Sequence, residues 1–583
     1  MANFFLDNQD MTFLFDHMDL AGIAALQEDD FTQTDGPGAE YAPTDAADAL
    51  DNYRRILSIV GDIAANHIAP RAETVDILGN TLNEDGTVTL ADPVRENIDV
   101  LAKADLMGMT LPRQYGGLNC PNLVYTMAIE IISRADTSLM NLFGLQGIAE
   151  TIYAFANDEI KDEYLPQFAN GLVTGAMALT EPDAGSDLQA VSLRAWQDDN
   201  GQWRLTGVKR FITNGCGDIV LTLARSEPDV KDGRGLSLFL VEKGPQLKVR
   251  HLEHKLGIHG SPTCELVYDD VPAKLIGERQ RGLITYVLAL MNGARVGVAA
   301  QAIGVAEAAF RVARQYAHTR KQFGVSIEKL PAVAEMVADM KIAIEAARAL
   351  TYETSRVCDL ENNNLRILEF QTPADNAEVK RRKADARSFK RLNSMLTPMC
   401  KYYAGEMSIR VANDAIQVLG GSGYMTDYPV ERHLRDARIT TIYEGTSQLQ
   451  IVAAVRGVCS GSFEKWVADR EQHAYADEAL APLRSKLDEG KRLVLDAVAF
   501  IKGRGGDYMD FYGRKLVDAA VDVVIGHLFL RQAADDDRKK QVARRFIDTR
   551  LPTIRRNVDL ICSGDTGVLK HYDTLAGPPP ADV

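Results

Sequence analysis

Met177-Ala-Leu-Thr-Glu-Pro-Asp-Ala-Gly-Ser-Asp187 is the stretch at which the pattern of the chain changes. N-terminal to it, Tyr53, Ile56, Leu57, Val60, Ile63 and Ala64 recur at three and four and make one helical stripe. Helical patterns continue to about residue 169, punctuated by Pro112, Gly116 and Gly117. C-terminal to it come short β-rich runs separated by turn residues, at 203–205, 208–213, 219–224, 236–241 and 264–268. Within the stretch, Gly185 and the short hydroxyls of Thr180 and Ser186 suit a loop that must approach a polar ring edge or a phosphate. Helices return after Arg281. Val333, Met336, Val337, Met340, Ile344 and Ala347 form an apolar face on a helix starting near Pro331. On another, Gly293, Gly297, Ala300 and Gly304 recur and permit close helix approach.

These shifts predict an irregular N-terminal arm over 1–44, a helical domain over 45–170 and a compact β-domain over 171–280. A tight helical bundle over 281–460 and a further helical region over 461–583 follow. A charge-dense segment, 359–392, interrupts the bundle. It opens with Asn362-Asn363-Asn364 and carries Lys380-Arg381-Arg382-Lys383, which reads as a solvated helical insertion or as a holder of a ligand's phosphates.

With 583 residues and 46% apolar content the chain can fill several cores. A formal charge of −16 disfavours broad adhesion to nucleic acid or anionic lipid, so an anionic ligand needs a local basic pocket. The seven cysteines (Cys120, Cys216, Cys264, Cys358, Cys400, Cys459 and Cys562) form no C-x-x-C pair and read as reduced, buried thiols of a cytoplasmic protein. No metal site is expected. The N-terminus lacks the basic flank and apolar core of a signal peptide. The most apolar stretch, 296–310, is broken by Gln301 and Glu307 and falls short of a bilayer span. Ala581-Asp582-Val583 is not a peroxisomal address.

Three further motifs accompany the first. In Lys209-Arg-Phe-Ile-Thr-Asn214, alternation puts Phe211 and Thr213 on one strand face, able to contact one ligand. His318-Thr-Arg-Lys-Gln-Phe-Gly324 carries Arg320, whose guanidinium fork matches a pyrophosphate. Gln417-Val-Leu-Gly-Gly-Ser-Gly-Tyr424 continues through Arg435-Asp-Ala-Arg438 to Tyr443-Glu-Gly-Thr-Ser-Gln448. There is no G-x-x-x-x-G-K-[ST] and no complete G-x-G-x-x-G.

Taken together, the four segments resemble the acyl-CoA dehydrogenase family over about 50–460. The fold this implies is α+β: an N-terminal helical domain, a middle β-barrel-like domain and a C-terminal four-helix bundle, plus an additional C-terminal helical region. The resemblance implies FAD as cofactor, contacted by Leu179, Thr180, Ser186, Phe211, Thr213, Thr446 and Gln448. Arg320, Phe323, Gln417 and Gly421 would reach the FAD of a neighbouring subunit. Ser186, Arg295, Tyr443 and Gly445 would contact an acyl-CoA substrate, and Glu444 would be the catalytic base. Some relatives place that base just before the arginine matching Arg295; Ala294 stands there and cannot accept a proton. Where the family often has tryptophan this chain has Phe211, which keeps a stacking surface but loses an indole donor. Gly257-Ile-His-Gly-Ser-Pro-Thr-Cys-Glu265 is similar to a β-domain loop of the family.

The implied activity is α,β-dehydrogenation to trans-2-enoyl-CoA, as in β-oxidation, with electrons passing to an electron-transferring flavoprotein. An oxidase using oxygen as acceptor and a flavin-free scaffold are the alternatives. The extra length is similar to the longer subfamily that handles long-chain acyl-CoAs or 3-methylthiopropanoyl-CoA. By analogy with it, a homodimer is favoured over a tetramer.

Overall fold

The computed structural model describes residues 2–33, 35–370, 375–473, 475 and 477–580. Residues 371–374 of the charge-dense segment and the C-terminal tripeptide 581–583 lie outside them. The chain divides into two compact units, Met1–Phe389 with Cys400–Ser447, and Lys390–Met399 with Gln448–Val583.

In the first unit the expected irregular arm contains two helices, α1 (Gln9–His17) and α2 (Leu20–Gln27). Asn8 and Asp19 cap them through backbone N–H groups, and Phe5, Met11, Phe15, Leu20 and Ile23 are buried. An acidic, short-period stretch hides this pattern because each helix is brief and takes its stability from packing, not propensity. Helix α3 (Ala46–Ile63) buries Tyr53, Leu57, Val60 and Ile63, while Ile56 stays partly open. Helices α4 (Asn122–Ala135) and α5 (Thr137–Leu145) complete the part of this core used below.

The middle of the chain is a β-structure of seven strands: β1 (Gly175–Ala178), β2 (Arg194–Gln197), β3 (Trp203–Thr213), β4 (Ile219–Arg225), β5 (Leu236–Glu242), β6 (Leu247–Leu252) and β7 (Thr263–Ile276). The order β4-β2-β3-β7-β5 returns to β4, so these strands close into a barrel, with β1 parallel to β4 and β6 added to β7. Closure leaves the central strands without free edges. Leu205, Val220, Phe239, Leu266 and Tyr268 fill one buried layer.

Helices α6 (Leu288–Thr319), α7 (Pro331–Phe370) and α8 (Asn376–Leu419) follow. The 38-residue stretch Gly282–Thr319 contains an 18-residue window with the composition of a bilayer span, at a mean hydropathy of 1.5. It is the core helix of this unit instead, packed on α4. A Cβ at Gly304 would lie 2.5 Å from the Glu130 carbonyl, so glycine sets that approach, while Gly293 meets nothing. Small residues therefore serve contact with the N-terminal helical domain. The charge-dense segment continues α7 and begins α8. Its first members are not solvated: Asp359 caps α4 through the N–H groups of Asn122 (2.7 Å) and Leu123 (2.9 Å), and Asn363 and Asn364 are buried.

One buried guanidinium ties α1, α4, α6 and α7 together. Arg348 donates to Asp10, to Glu130 (2.7 Å) and to Glu307 (3.1 Å), and Tyr352 donates to Glu130 (2.7 Å). Three carboxylates thus meet at one side chain that is 0% exposed.

In the second unit, α9 (Ala481–Lys502), α10 (Gly506–Gln532) and α11 (Asp537–Cys562) pack on one another. Val494, Ala497, Val517 and Ile525 are buried there, and Phe529 meets Phe546 edge-on at 5.2 Å. The cysteines are not uniformly buried: Cys562, at the end of α11, is exposed, and Cys216 and Cys358 are half-buried.

Removing Arg348 takes the guanidinium away from Asp10 and Glu130 in a dry core, while Glu307 keeps Arg311 (2.8 Å). Arg348→Leu is expected to cost about 3–5 kcal/mol, read as a lowered urea midpoint.

Candidate active site

Lys209 opens the second motif and turns inward, 0% exposed, where its Nζ donates to the Leu179 carbonyl (2.8 Å) and to Glu181 Oε1 (2.9 Å). Glu181 in turn accepts from the N–H groups of Ser192 (2.8 Å) and Leu193 (2.9 Å). Burial pulls the Lys209 ammonium down to about 8, against the pull of Glu181. The N–H of Arg210 donates to the Thr180 carbonyl (2.9 Å). The first and second motifs are therefore one cross-linked assembly, and Lys209 and Glu181 are the residues that sequence patterns left unassigned. Thr180 is half-buried and Ser186 exposed, with the buried Leu179 beneath.

Simple alternation does not set the direction of Phe211. The pairing of β3 with β7 shifts register between Lys209 and Ile212, and Phe211 occupies the left-handed region at φ 61°. A bulge of this kind re-aims a side chain. Phe211 is 54% exposed and Thr213 half-buried, while Ile212 between them is buried. A non-glycine residue in this conformation costs about 1–3 kcal/mol and marks a position held for something beyond the fold.

The end of β3 leads toward Glu444. Thr213 pairs with Thr263, and the N–H of Asn214 donates to the Pro262 carbonyl (2.7 Å). Next to Pro262, Ser261 Oγ accepts from Asn141 Nδ2 (3.3 Å). The hydroxyl of Tyr443 then reaches Asn141 Oδ1 (3.1 Å) and Gln301 Oε1. Gln301 itself donates to the Thr137 carbonyl (3.1 Å). Thus Tyr443, expected against substrate, anchors the loop with its hydroxyl in a buried amide network on α5 and α6. The Arg435–Arg438 stretch holds the segment that leads into Ser261 and Pro262. Asp436 accepts from the N–H of Ile258 (2.5 Å), and Arg435 binds Asp76 (2.6 Å) and Glu431 (2.7 Å).

Glu444 follows at φ 53° and Gly445 at φ 90°, a left-handed pair that turns the chain sharply. Glu444 is half-buried, with Oε2 out of contact with solvent. Burial pushes its carboxyl above the ordinary range, while Arg295 on α6 and Lys401 on α8 pull it back. Arg295 Nη1 donates to Asn292 Oδ1 (3.2 Å). Lys401 Nζ donates to the Gly445 carbonyl (2.6 Å). Leu290 and Met291, upstream on the helix of Arg295, pack against an apolar core. Thr446 is half-buried and Gln448 is exposed in the helix Ser447–Cys459.

Arg320, Phe323, Gln417 and Gly421 form a separate, solvent-facing group. Arg320 caps α6, and Lys321–Gln322 pairs with Val325–Ser326 around a two-residue turn, Phe323 at φ 52° and Gly324 at φ 82°. Phe323, at that tip, is 91% exposed. Near the end of α6, Tyr316 donates to Ser422 Oγ (3.4 Å) and stacks edge-on with Tyr428 at 5.6 Å, which brings the segment of Gln417 and Gly421 alongside.

The closed barrel between helical regions, carrying the open ring of Phe211, suits a flavin-type oxidoreductase. Acyl-CoA dehydrogenase domain families match in sequence: the N-terminal domain over 51–172, the middle domain over 176–271 and the C-terminal domain over 281–458. A further family, described as acyl-CoA dehydrogenase C terminal, matches 459–561. The chain belongs to the acyl-CoA dehydrogenase family, and so is an FAD-dependent oxidoreductase.

Among its relatives, an acyl-CoA dehydrogenase of Bacillus subtilis is 38% identical over 400 residues, 67% of this chain and 94% of its own. A 3-methylmercaptopropionyl-CoA dehydrogenase of Ruegeria pomeroyi is 33% identical over 445 residues, 71% of this chain and 72% of its own. The structure of a Bacillus anthracis acyl-CoA dehydrogenase complexed with FAD superposes with a TM-score of 0.73 at 25% identity, covering 90% of each chain. The residues here fit that cofactor: the strand aromatic Phe211 stands open two positions before Thr213, and the hydroxyl-bearing loop is tied to the same strand.

Since Lys209 is dry and has one carboxylate, Glu181→Gln leaves a buried charge unpaired. A loss of about 3–5 kcal/mol is expected, together with weakened FAD retention, measured by urea midpoint and by the flavin-to-protein absorbance ratio after gel filtration.

Proposed function

We propose that this chain converts an acyl-CoA thioester to the trans-2-enoyl-CoA, with Glu444 removing the α-proton. The observation that carries this is the placing of Glu444, a partly sunken carboxylate on a left-handed turn with burial raising its basicity. An α-C–H beside a thioester is a weak acid, so its base must act in a dry, preorganised place where developing charge on the carbonyl oxygen is stabilised. We assign that stabilisation to the main-chain N–H of Glu444. A carboxyl raised above the usual range accepts the proton more readily than an exposed one. FAD, when bound, supplies the acceptor for the hydride that leaves the β-carbon.

Leu179, Thr180, Ser186, Phe211 and Thr213 are assigned to that cofactor, with Thr446 and Gln448 at its far side. Arg320, Phe323, Gln417 and Gly421 are assigned to the FAD of a second copy. Two facts support that last assignment: an aromatic 91% exposed on a strained hairpin, and the nearby guanidinium. A homo-oligomer is required by it, with a dimer favoured over a tetramer by analogy with the longer subfamily. Arg295 and Gly445 are assigned to the thioester end of the substrate, with Ser186 on the CoA side. Tyr443 keeps only its ring for that contact, since its hydroxyl is engaged in the amide network. The family places an electron-transferring flavoprotein as acceptor. We infer a cytoplasmic location from the seven scattered thiols.

Holoenzyme mixed anaerobically with butanoyl-, octanoyl-, palmitoyl- or 3-methylthiopropanoyl-CoA is expected to bleach its flavin with at least one of them. Glu444→Gln is expected to retain FAD and bind that substrate but bleach at least about 10³-fold more slowly; near-normal bleaching removes Glu444 from this role. Because only the ionised base works, the wild-type rate should rise with pH, with its midpoint above 4.5, the ordinary value of such a carboxyl.

A further inference from the structure

Proton removal by Glu444 leaves one buried cation unassigned. Lys401, on α8, is 1% exposed, and none of the sequence motifs includes it. Taking an ammonium out of water costs several kcal/mol, so a lysine at such a position needs a compensating role. Its Nζ donates to the Gly445 carbonyl at 2.6 Å. Five residues further along the same helix, Glu406 accepts from Ser447 Oγ at 2.7 Å. Helix α8 therefore grips the residues on either side of Thr446, just beyond the base. The charged and titratable groups facing Lys401 are Glu444 on the loop, Arg295 from α6, and Glu406 and Cys400 on its own helix.

We propose that Lys401 is a positioning residue for Glu444: it clamps the Gly445 carbonyl, fixes the left-handed turn and lays a positive charge beside the base. The proposal rests on Glu444 being that base. Two effects follow from one contact. The clamp holds the carboxylate at a set place over the α-carbon, where a shift of about 1 Å can cost a factor of ~10² in rate. The charge opposes the desolvation of Glu444 and keeps it ionised at working pH. Lys401 itself is pulled down to about 8, chiefly by burial, with Arg295 acting the same way and Glu444 and Glu406 opposing. Its charge is then lost in mildly alkaline solution, which gives the reductive step a second, basic limb.

The test is anaerobic stopped-flow reduction of the holoenzyme flavin by saturating acyl-CoA across pH, for wild type, Lys401→Met, Lys401→Gln, Lys401→Arg and Glu444→Gln. FAD content and melting temperature report folding independently. Lys401→Met is expected to reduce at least about tenfold more slowly, to shift its acid limb to higher pH and to lose the basic limb near 8. Lys401→Gln still offers an N–H to the Gly445 carbonyl, so it should show the same limb changes with a smaller loss of rate. Lys401→Arg should restore the acid limb and carry no basic limb near 8. Wild-type rate with both limbs in place in Lys401→Met, or in Lys401→Gln should the former not fold, overturns the proposal. If Glu444→Gln alone abolishes reduction, only the role of Lys401 fails. If Glu444→Gln still reduces its flavin, the assignment of the base fails first.

Discussion

If Glu444 is the base, as proposed, a carboxylate that must work out of water without losing its charge is the constraint around which the site is arranged. Burial alone would neutralise Glu444, and full exposure would leave it too weak a base and too mobile. Between these limits stand two cations, Arg295 and Lys401, on two different helices, neither of them next to Glu444 in sequence. Their positions depend on α6 and α8 being long, continuous and fixed. The core supplies that rigidity through contacts that have nothing to do with the base, above all the close approach of Gly304 to Glu130 and the charge cluster at Arg348.

The same logic explains why polar groups recur inside α6, a helix apolar enough by composition to cross a bilayer. Gln301 and Glu307 are both buried, and each is satisfied. Gln301 holds Tyr443, one residue before the base, and Glu307 binds Arg348, which reaches Asp10 in the N-terminal helices. One helix thus carries the register of the active-site loop at its start and middle, and the cohesion of the unit beyond. An apolar substitution at Gln301 would keep the helix and lose the orientation of the loop, because the tyrosine hydroxyl would be left buried with one partner fewer.

How far the sequence spoke for itself follows from the range of each signal. The interposed β-domain was legible because its strands alternate over short windows, and the apolar face on α7 because it repeats at three and four. Phe211, Glu444 and Gly445 were legible through motif resemblance. The N-terminal helices were not, since Asp10 and Met11 belong to a core whose other half lies more than 300 residues away, at Arg348. Lys209 and Lys401 were missed for a related reason. A lysine in a sequence carries no mark of burial, and its partners, Glu181 and Gly445, become neighbours only when the barrel closes or α8 meets the loop. The inward turn of the Tyr443 hydroxyl is of the same kind. Motifs named the chemistry, and contacts between distant segments named what holds it.

Strain supplies the remaining link between fold and function. Phe211, Phe323 and Glu444 all adopt left-handed backbone, and so do Asn214 and Ile258, which flank the route from β3 to the base. Each non-glycine case costs about 1–2 kcal/mol that local packing must offset. For Asn214 and Ile258 the offset is visible, in hydrogen bonds to Pro262 and Asp436. For the two phenylalanines burial does not supply it, because their rings lie 54% and 91% open, and Phe211 has only the Arg210 guanidinium 4.6 Å over its ring. An apolar ring held out of the core on a strained backbone gains little from its own fold. Its stabilisation has to come from a surface that is added later, and two such rings, one on the barrel and one on a hairpin beyond α6, call for contacts in two places. In the function proposed above, a flat cofactor would cover Phe211 and a second copy of the chain would cover Phe323. Strain of this kind makes the empty fold less stable than it could be, so that part of what orders the site is contributed by what binds there.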